Sequence, residues 1–120
     1  MMKIFPADIL LPDFSAVDGT KWACVACDQY TSQPEYWDAV RKEVGNAPST
    51  LHMILPEAHL GSADEAAIVK NINATMDAYL AGDVFTTYAN SYIYVERTLL
   101  NGSVRPGLIG AVDLEEYNYN

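Results

Sequence analysis

In this 120-residue sequence the string Asp28-Gln29-Tyr30-Thr31-Ser32 gathers a carboxylate, an amide and three hydroxyls into five consecutive positions. Such a string is useful where a strand hands over to a helix, because ligands gather at the carboxyl ends of strands in open α/β sheets and free N–H groups at a helix start attract anions. Asp28 would repel a phosphate, whereas the Gln29 amide and the Thr31 and Ser32 hydroxyls can hydrogen-bond one. The ligand-binding expectation is therefore Asp28, Gln29, Thr31 and Ser32. A structural alternative stands beside it, with Ser32 as a helix cap and Asp28 only organising the turn.

Cys24-Val25-Ala26-Cys27 has the spacing of a redox dithiol or half a zinc site. On a strand, however, positions three apart point to opposite faces, and only His52 and His59 could supply further ligands. Both cysteines read as small buried hydrophobes. The histidines, with Pro56 between them, belong to no metal motif; His52 reads as a strand residue and His59 as loop. No metal and no cofactor is expected. Glu96 and Arg97 are adjacent on a strand and so face opposite ways, which makes cross-strand pairing of Glu96 with Arg105 the simpler reading. Among eight tyrosines, Tyr92 and Tyr94 share a face and Tyr117 and Tyr119 follow near the end, which suits either a partner interface or the cover of a small core.

The elements that must position these residues follow from periodicity. Lys21 to Cys27 is a short apolar run that reads as a buried central strand. Ser32 and Glu35 have capping-box spacing with Pro34 in the first turn, predicting a helix that Gly45 ends. Thr50 to Leu55, bracketed by Pro48 and Pro56, reads as a second strand. Ser62 with Glu65 opens a long helix with the stripe Ile68, Val69, Ile72, Met76, Tyr79 and Leu80, stopped at Gly82. Ser91 to Thr98 reads as a strand, and Asn101-Gly102 as a two-residue type I′ turn from which Ser103 to Val112 returns antiparallel. That turn would set Val95 opposite Leu108 and Arg97 opposite Pro106, with Glu96 and Arg105 diagonal neighbours on the other face. Pro106 marks the returning strand as an edge or as bulged. The predicted fold is α/β, a small mixed sheet in the order β-α-β-α-β-β with helices packed on it and a C-terminal antiparallel hairpin.

Composition fits one ordinary globular domain over residues 1–120, with half the residues hydrophobic and 19% charged. Seven basic against sixteen acidic residues leave a net charge of −9, which disfavours phosphate backbones and anionic membrane surfaces. Pro6 and Asp8 interrupt any signal-peptide core, and the six-residue apolar stretch from Trp22 to Cys27 falls far below a membrane span. A cytoplasmic location is expected, and there the glycosylation triplets at Asn73 and Asn101 have no meaning.

Particular wording adds a resemblance. Phe5-Pro6-Ala7-Asp8-Ile9-Leu10-Leu11-Pro12, Ala26-Cys27-Asp28-Gln29-Tyr30-Thr31-Ser32-Gln33-Pro34-Glu35-Tyr36-Trp37, Tyr94-Val95-Glu96-Arg97-Thr98 and Arg105-Pro106-Gly107-Leu108-Ile109-Gly110 together resemble the N-terminal part of the bacterial domain-of-unknown-function family 1015, in the branch common among Firmicutes. Its members are generally uncharacterised and longer, so the resemblance implies a truncated or excised N-terminal portion of a cytosolic protein, without a complete active site of its own. Further motifs of the longer members are similar to those of the chromosome-partitioning and sulfiredoxin superfamily. They imply an alternative, a fragment of a nucleotide-dependent (phospho)transferase in which Asp28, Gln29, Thr31 and Ser32 border a shared pocket. A third possibility is a protein–protein interaction module using the tyrosine-bearing face. A sheet continued by missing polypeptide would leave an edge open, predicting a homo-oligomer or packing against that missing C-terminal part.

Overall fold

A computed structural model describes residues 3–114. The chain forms two compact units, Pro12–Thr86 and the described residues of Met1–Leu11 with Thr87–Asn120. The class is mixed α/β, with strands β1 (Ile4–Phe5) and β2 (Ala7–Pro12), helices α1 (Gly19–Trp22), α2 (Pro34–Val44) and α3 (Glu65–Ala81), and strands β3 (Phe85–Ser91), β4 (Ile93–Thr98), β5 (Val104–Ile109) and β6 (Ala111–Val112). Two 3₁₀ turns, Thr50–Met53 and Glu57–His59, lie between α2 and α3. None of the described helices is long and apolar enough to cross a membrane.

In the helical unit the two strands expected at 21–27 and 50–55 do not form. Asp18 caps α1, its carboxylate accepting from the Thr20 N–H at 2.9 Å, so Lys21 and Trp22 are drawn into a helical turn and residues 23–26 follow without regular structure. Ser49 does the same downstream: its hydroxyl accepts from Leu51 N–H at 3.1 Å and starts the first 3₁₀ turn, which puts His52 on that turn and not on a strand. The Trp22 carbonyl is then satisfied by the Ser49 and Thr50 hydroxyls, at 3.1 and 2.9 Å, in place of a ladder partner. Short apolar runs do not distinguish a strand from a buried irregular segment, and here local side-chain capping decided.

Both predicted long helices are present and both glycine stops hold, Gly45 with φ +58° and Gly82 with its N–H bonded to Ala78 O at 3.0 Å. The capping boxes fail by register. Gln33 and Asp64 are the N-cap residues, so Ser32 and Ser62 fall one and two positions too early, and Glu65 instead accepts from Gly61 N–H at 2.6 Å. Two apolar clusters hold this unit. Trp22 packs with Val17 and Val84, its ring edge-on to Phe85 at 5.7 Å, and Trp37, fully buried, packs with Val44 and Leu51. Cys24 and Cys27 are half-buried free thiols, less enclosed than the buried-strand reading requires.

The strand unit consists of three two-stranded ladders, β1 with β6, β2 with β3 and β4 with β5. The β4·β5 hairpin confirms the expected antiparallel return and leaves Pro106 on an edge strand, with its register shifted. Leu99 N–H bonds Ser103 O at 2.8 Å and Gly102 N–H bonds Leu99 O at 2.9 Å, enclosing the three residues Leu100, Asn101 and Gly102. Only Gly102 of these has positive φ, +84°, so a type I turn closed by a glycine bulge replaces the I′ turn. Val95 therefore faces Gly107, Glu96 faces Pro106 and Arg97 faces Arg105. A one-residue slip moves a side chain to the other face, so the expected Glu96–Arg105 pair is not made, and Tyr94 Oη donates to Glu96 at 2.9 Å instead.

Candidate functional site

The predicted ligand residues occupy a double turn between residues 23–26 and α2. Gln29 N–H bonds Ala26 O at 3.1 Å and Gln33 N–H bonds Tyr30 O at 3.2 Å, while Glu57 N–H fastens the Cys27 carbonyl at 2.8 Å. Tyr30 adopts φ +51°, a left-handed conformation uncommon for a large side chain, and its ring stacks on Tyr36 of α2 at 3.8 Å with 14° between planes. The stack fixes the turn against the first turn of α2. Asp28, Gln29, Thr31 and Ser32 are thereby brought together in solvent, with Gln29 Nε2 donating to Asp28 Oδ1 at 3.4 Å. The Gln33 cap makes no side-chain bond to the helix, leaving the positive end of α2 beside the two hydroxyls.

A recess that sequence reasoning missed lies elsewhere in the helical unit. The last turn of α2, the first 3₁₀ turn and one face of α3 enclose about 420 Å³, within the range of small-molecule sites. Its polar lining is Arg41, His52, Asp64, Asn71 and Thr75. Leu51, Ile68 and Ile72 are among its apolar walls. His52 Nε2 lies 3.2 Å from Ala47 O. From the Asp64 cap into α3 the lining positions 64, 68, 71, 72 and 75 lie three or four residues apart along one face, a mixed stripe that a search for purely apolar periodicity passes over.

Electrostatics in this unit are mostly local. Lys21 Nζ reaches across to α2, donating to Glu43 Oε1 at 2.6 Å and to the Glu43 carbonyl at 2.8 Å. That bond and the ammonium charge hold the Glu43 carboxyl below its ordinary value. Asp13 and Asp18 are lowered by the hydroxyls and N–H groups of Ser15 and Thr20.

In the strand unit the tyrosines do converge. Tyr88, Tyr92 and Tyr94 line a small hollow of about 250 Å³ with Ile9 and Leu11. The bond from Tyr94 to Glu96 raises the phenol above its ordinary value, since ionisation would break it. Tyr117 and Tyr119 lie outside the described residues.

A family model described as "Protein of unknown function (DUF1015)" matches residues 11–120. No curated protein and no solved structure matches the chain.

Proposed function

The chain belongs to the DUF1015 family, a family of unknown function, and from that membership we propose that it is an α/β domain of a cytosolic protein that works by association and holds no complete catalytic set by itself. Its partner surface is another copy of the chain or further polypeptide of the same protein. The β4·β5 hairpin carries this reading. Every residue of the two strands except Ile93 is exposed, with Tyr94 at 63% and Leu108 at 56% on one face and Val95 and Ile109 uncovered on the other. A two-stranded hairpin with both faces in water is only marginally stable, and apolar side chains on both faces are what a packed interface uses. The −9 charge argues against nucleic acid as the partner. Two unbridged half-buried thiols suit a reducing compartment. Multi-angle light scattering on the purified chain tests the first of these partners: a dimer or larger species is expected, lost in Val95→Lys or Leu108→Lys, and a clean monomer that keeps the hairpin ordered rules out another copy as the partner.

The stacked turn favours a second reading, in which Asp28, Gln29, Thr31 and Ser32 border a nucleotide-phosphate site of a transferase-like protein. A left-handed Tyr30 held by a ring stack is a conformational cost that a plain connection does not need. Calorimetric titration with nucleoside di- and triphosphates tests this, and an absence of binding that persists in a longer family member overturns it.

A further inference from the structure

The recess beneath α3 holds two side chains of opposite charge that do not pair with each other. Arg41 and Asp64 both line it, yet the ion contact of Arg41 among the described residues is with Asp38 of its own helix, at a loose 3.7 Å. Asp64 sits at the N-cap of α3 without a side-chain bond to the helix, so its carboxylate is not used for capping. A guanidinium offers a planar fork that matches a carboxylate, and a carboxylate accepts well from an ammonium. A purely anionic guest would meet Asp64, and a purely cationic one Arg41; a molecule bearing both charges satisfies both. The other walls favour an aliphatic body, because Leu51, Ile54, Ile68 and Ile72 supply hydrocarbon. Asn71 and Thr75 add hydrogen-bonding groups of either sense, and His52 is held in the wall by its Nε2, which donates to Ala47 O at 3.2 Å.

We infer that this cleft is a binding site for a small zwitterion with an aliphatic side chain, a free α-amino acid of the leucine type, with Arg41 on its carboxylate and Asp64 on its ammonium. The inference is independent of the association reading, since the cleft is built within Pro12–Thr86 alone.

Titration of the whole chain with L-leucine, N-acetyl-L-leucine and L-leucinamide, followed by NMR, tests it. Leucine is expected to shift the Ile68, Ile72 and Thr75 resonances, and each singly charged analogue to bind about tenfold or more weakly, the loss of one charge-assisted bond. Arg41→Gln should weaken leucine and erase its advantage over leucinamide; Asp64→Asn should erase its advantage over N-acetyl-leucine. Both side chains are exposed, and melting curves report whether each variant is folded. Should either variant unfold, the ranking of the three probes on the native chain decides alone. No shift at those residues with millimolar leucine, or equal binding of leucine and either analogue, overturns the inference.

Discussion

Arg97 and Arg105 stand directly opposite each other across the β4·β5 ladder. Like charges in that position repel, and cross-strand pairs are worth about 0.2–1 kcal/mol. Arg105→Glu should therefore stabilise the hairpin by roughly 0.5–1 kcal/mol, read as a higher urea midpoint at low salt. The gain should shrink as salt screens the pair. An unchanged midpoint at low salt would show that the two guanidinium groups are kept apart by their side-chain length.

Ser49 joins three segments while fully buried. Its N–H donates to Tyr79 Oη at 3.1 Å, its hydroxyl donates to Trp22 O at 3.1 Å, and the same oxygen accepts from Leu51 N–H. Ser49→Ala should cost about 1–2 kcal/mol, a lost cap plus a weakened carbonyl contact. Adding Thr50→Val removes the other hydroxyl on Trp22 O, so the double variant should lose more than the sum of the singles. Chemical denaturation of the four species checks this, and simple additivity would refute the shared role.

Gly110 is constrained by crowding and not by its backbone angle. A Cβ there would come within 2.8 Å of Phe5 O and 2.9 Å of a Tyr92 ring carbon. Gly110→Ala should push β1 from β6 and lower stability by about 1–3 kcal/mol. Pairing it with Tyr92→Ala, which vacates the ring, should reduce the additional cost of the alanine. Thermal melts that show no such relief would place the conflict wholly at the Phe5 carbonyl.

Acid should weaken the link between α1 and α2. Glu43 has its folded value depressed below 4.5, first by the hydrogen bond from Lys21 and then by its charge. A depressed carboxylate contributes stability that is fully present above its unfolded value of about 4.5 and is lost as pH falls through the folded one. Native and Glu43→Gln chains should therefore converge in stability below that range and diverge above it. Asp13 and Asp18 titrate in the same direction but occur in both proteins, so the difference between the two profiles isolates Glu43. A pH-independent difference would show that the Lys21 bond is made to the carbonyl alone.

What was legible in the sequence is what short-range chemistry determines. Gly45 and Gly82 end their helices as expected, and an antiparallel return follows Asn101-Gly102. The turn type was not legible, because the same dipeptide serves a two-residue loop or, as here, the end of a three-residue loop with glycine in the bulge, and one residue of difference inverted the faces of Glu96 and Arg105. The strands expected at 21–27 and 50–55 failed because Ser49 and Thr50 answer the Trp22 carbonyl with side chains. β1 and β2 left no signal since their partners lie far along the chain, as in Ile4 with Val112. Asp28 to Ser32 was readable as a polar turn from its own residue types. Arg41, His52 and Asp64 were not readable as neighbours, because three separate elements must fold before they line one cleft.

The Ile4–Val112 and Phe5–Ala111 pairings, extended by Asp113 N–H to Lys3 O at 3.1 Å, carry a kinetic consequence. Closing that ladder joins segments separated by almost the whole described chain, whereas β4 and β5 meet across a few residues, so loop entropy sets the order in which the ladders zip. The hairpin should form early, and the short β1·β6 clasp should close last and breathe first. In deuterium the Ile4 and Phe5 amides would then exchange well ahead of those within β4.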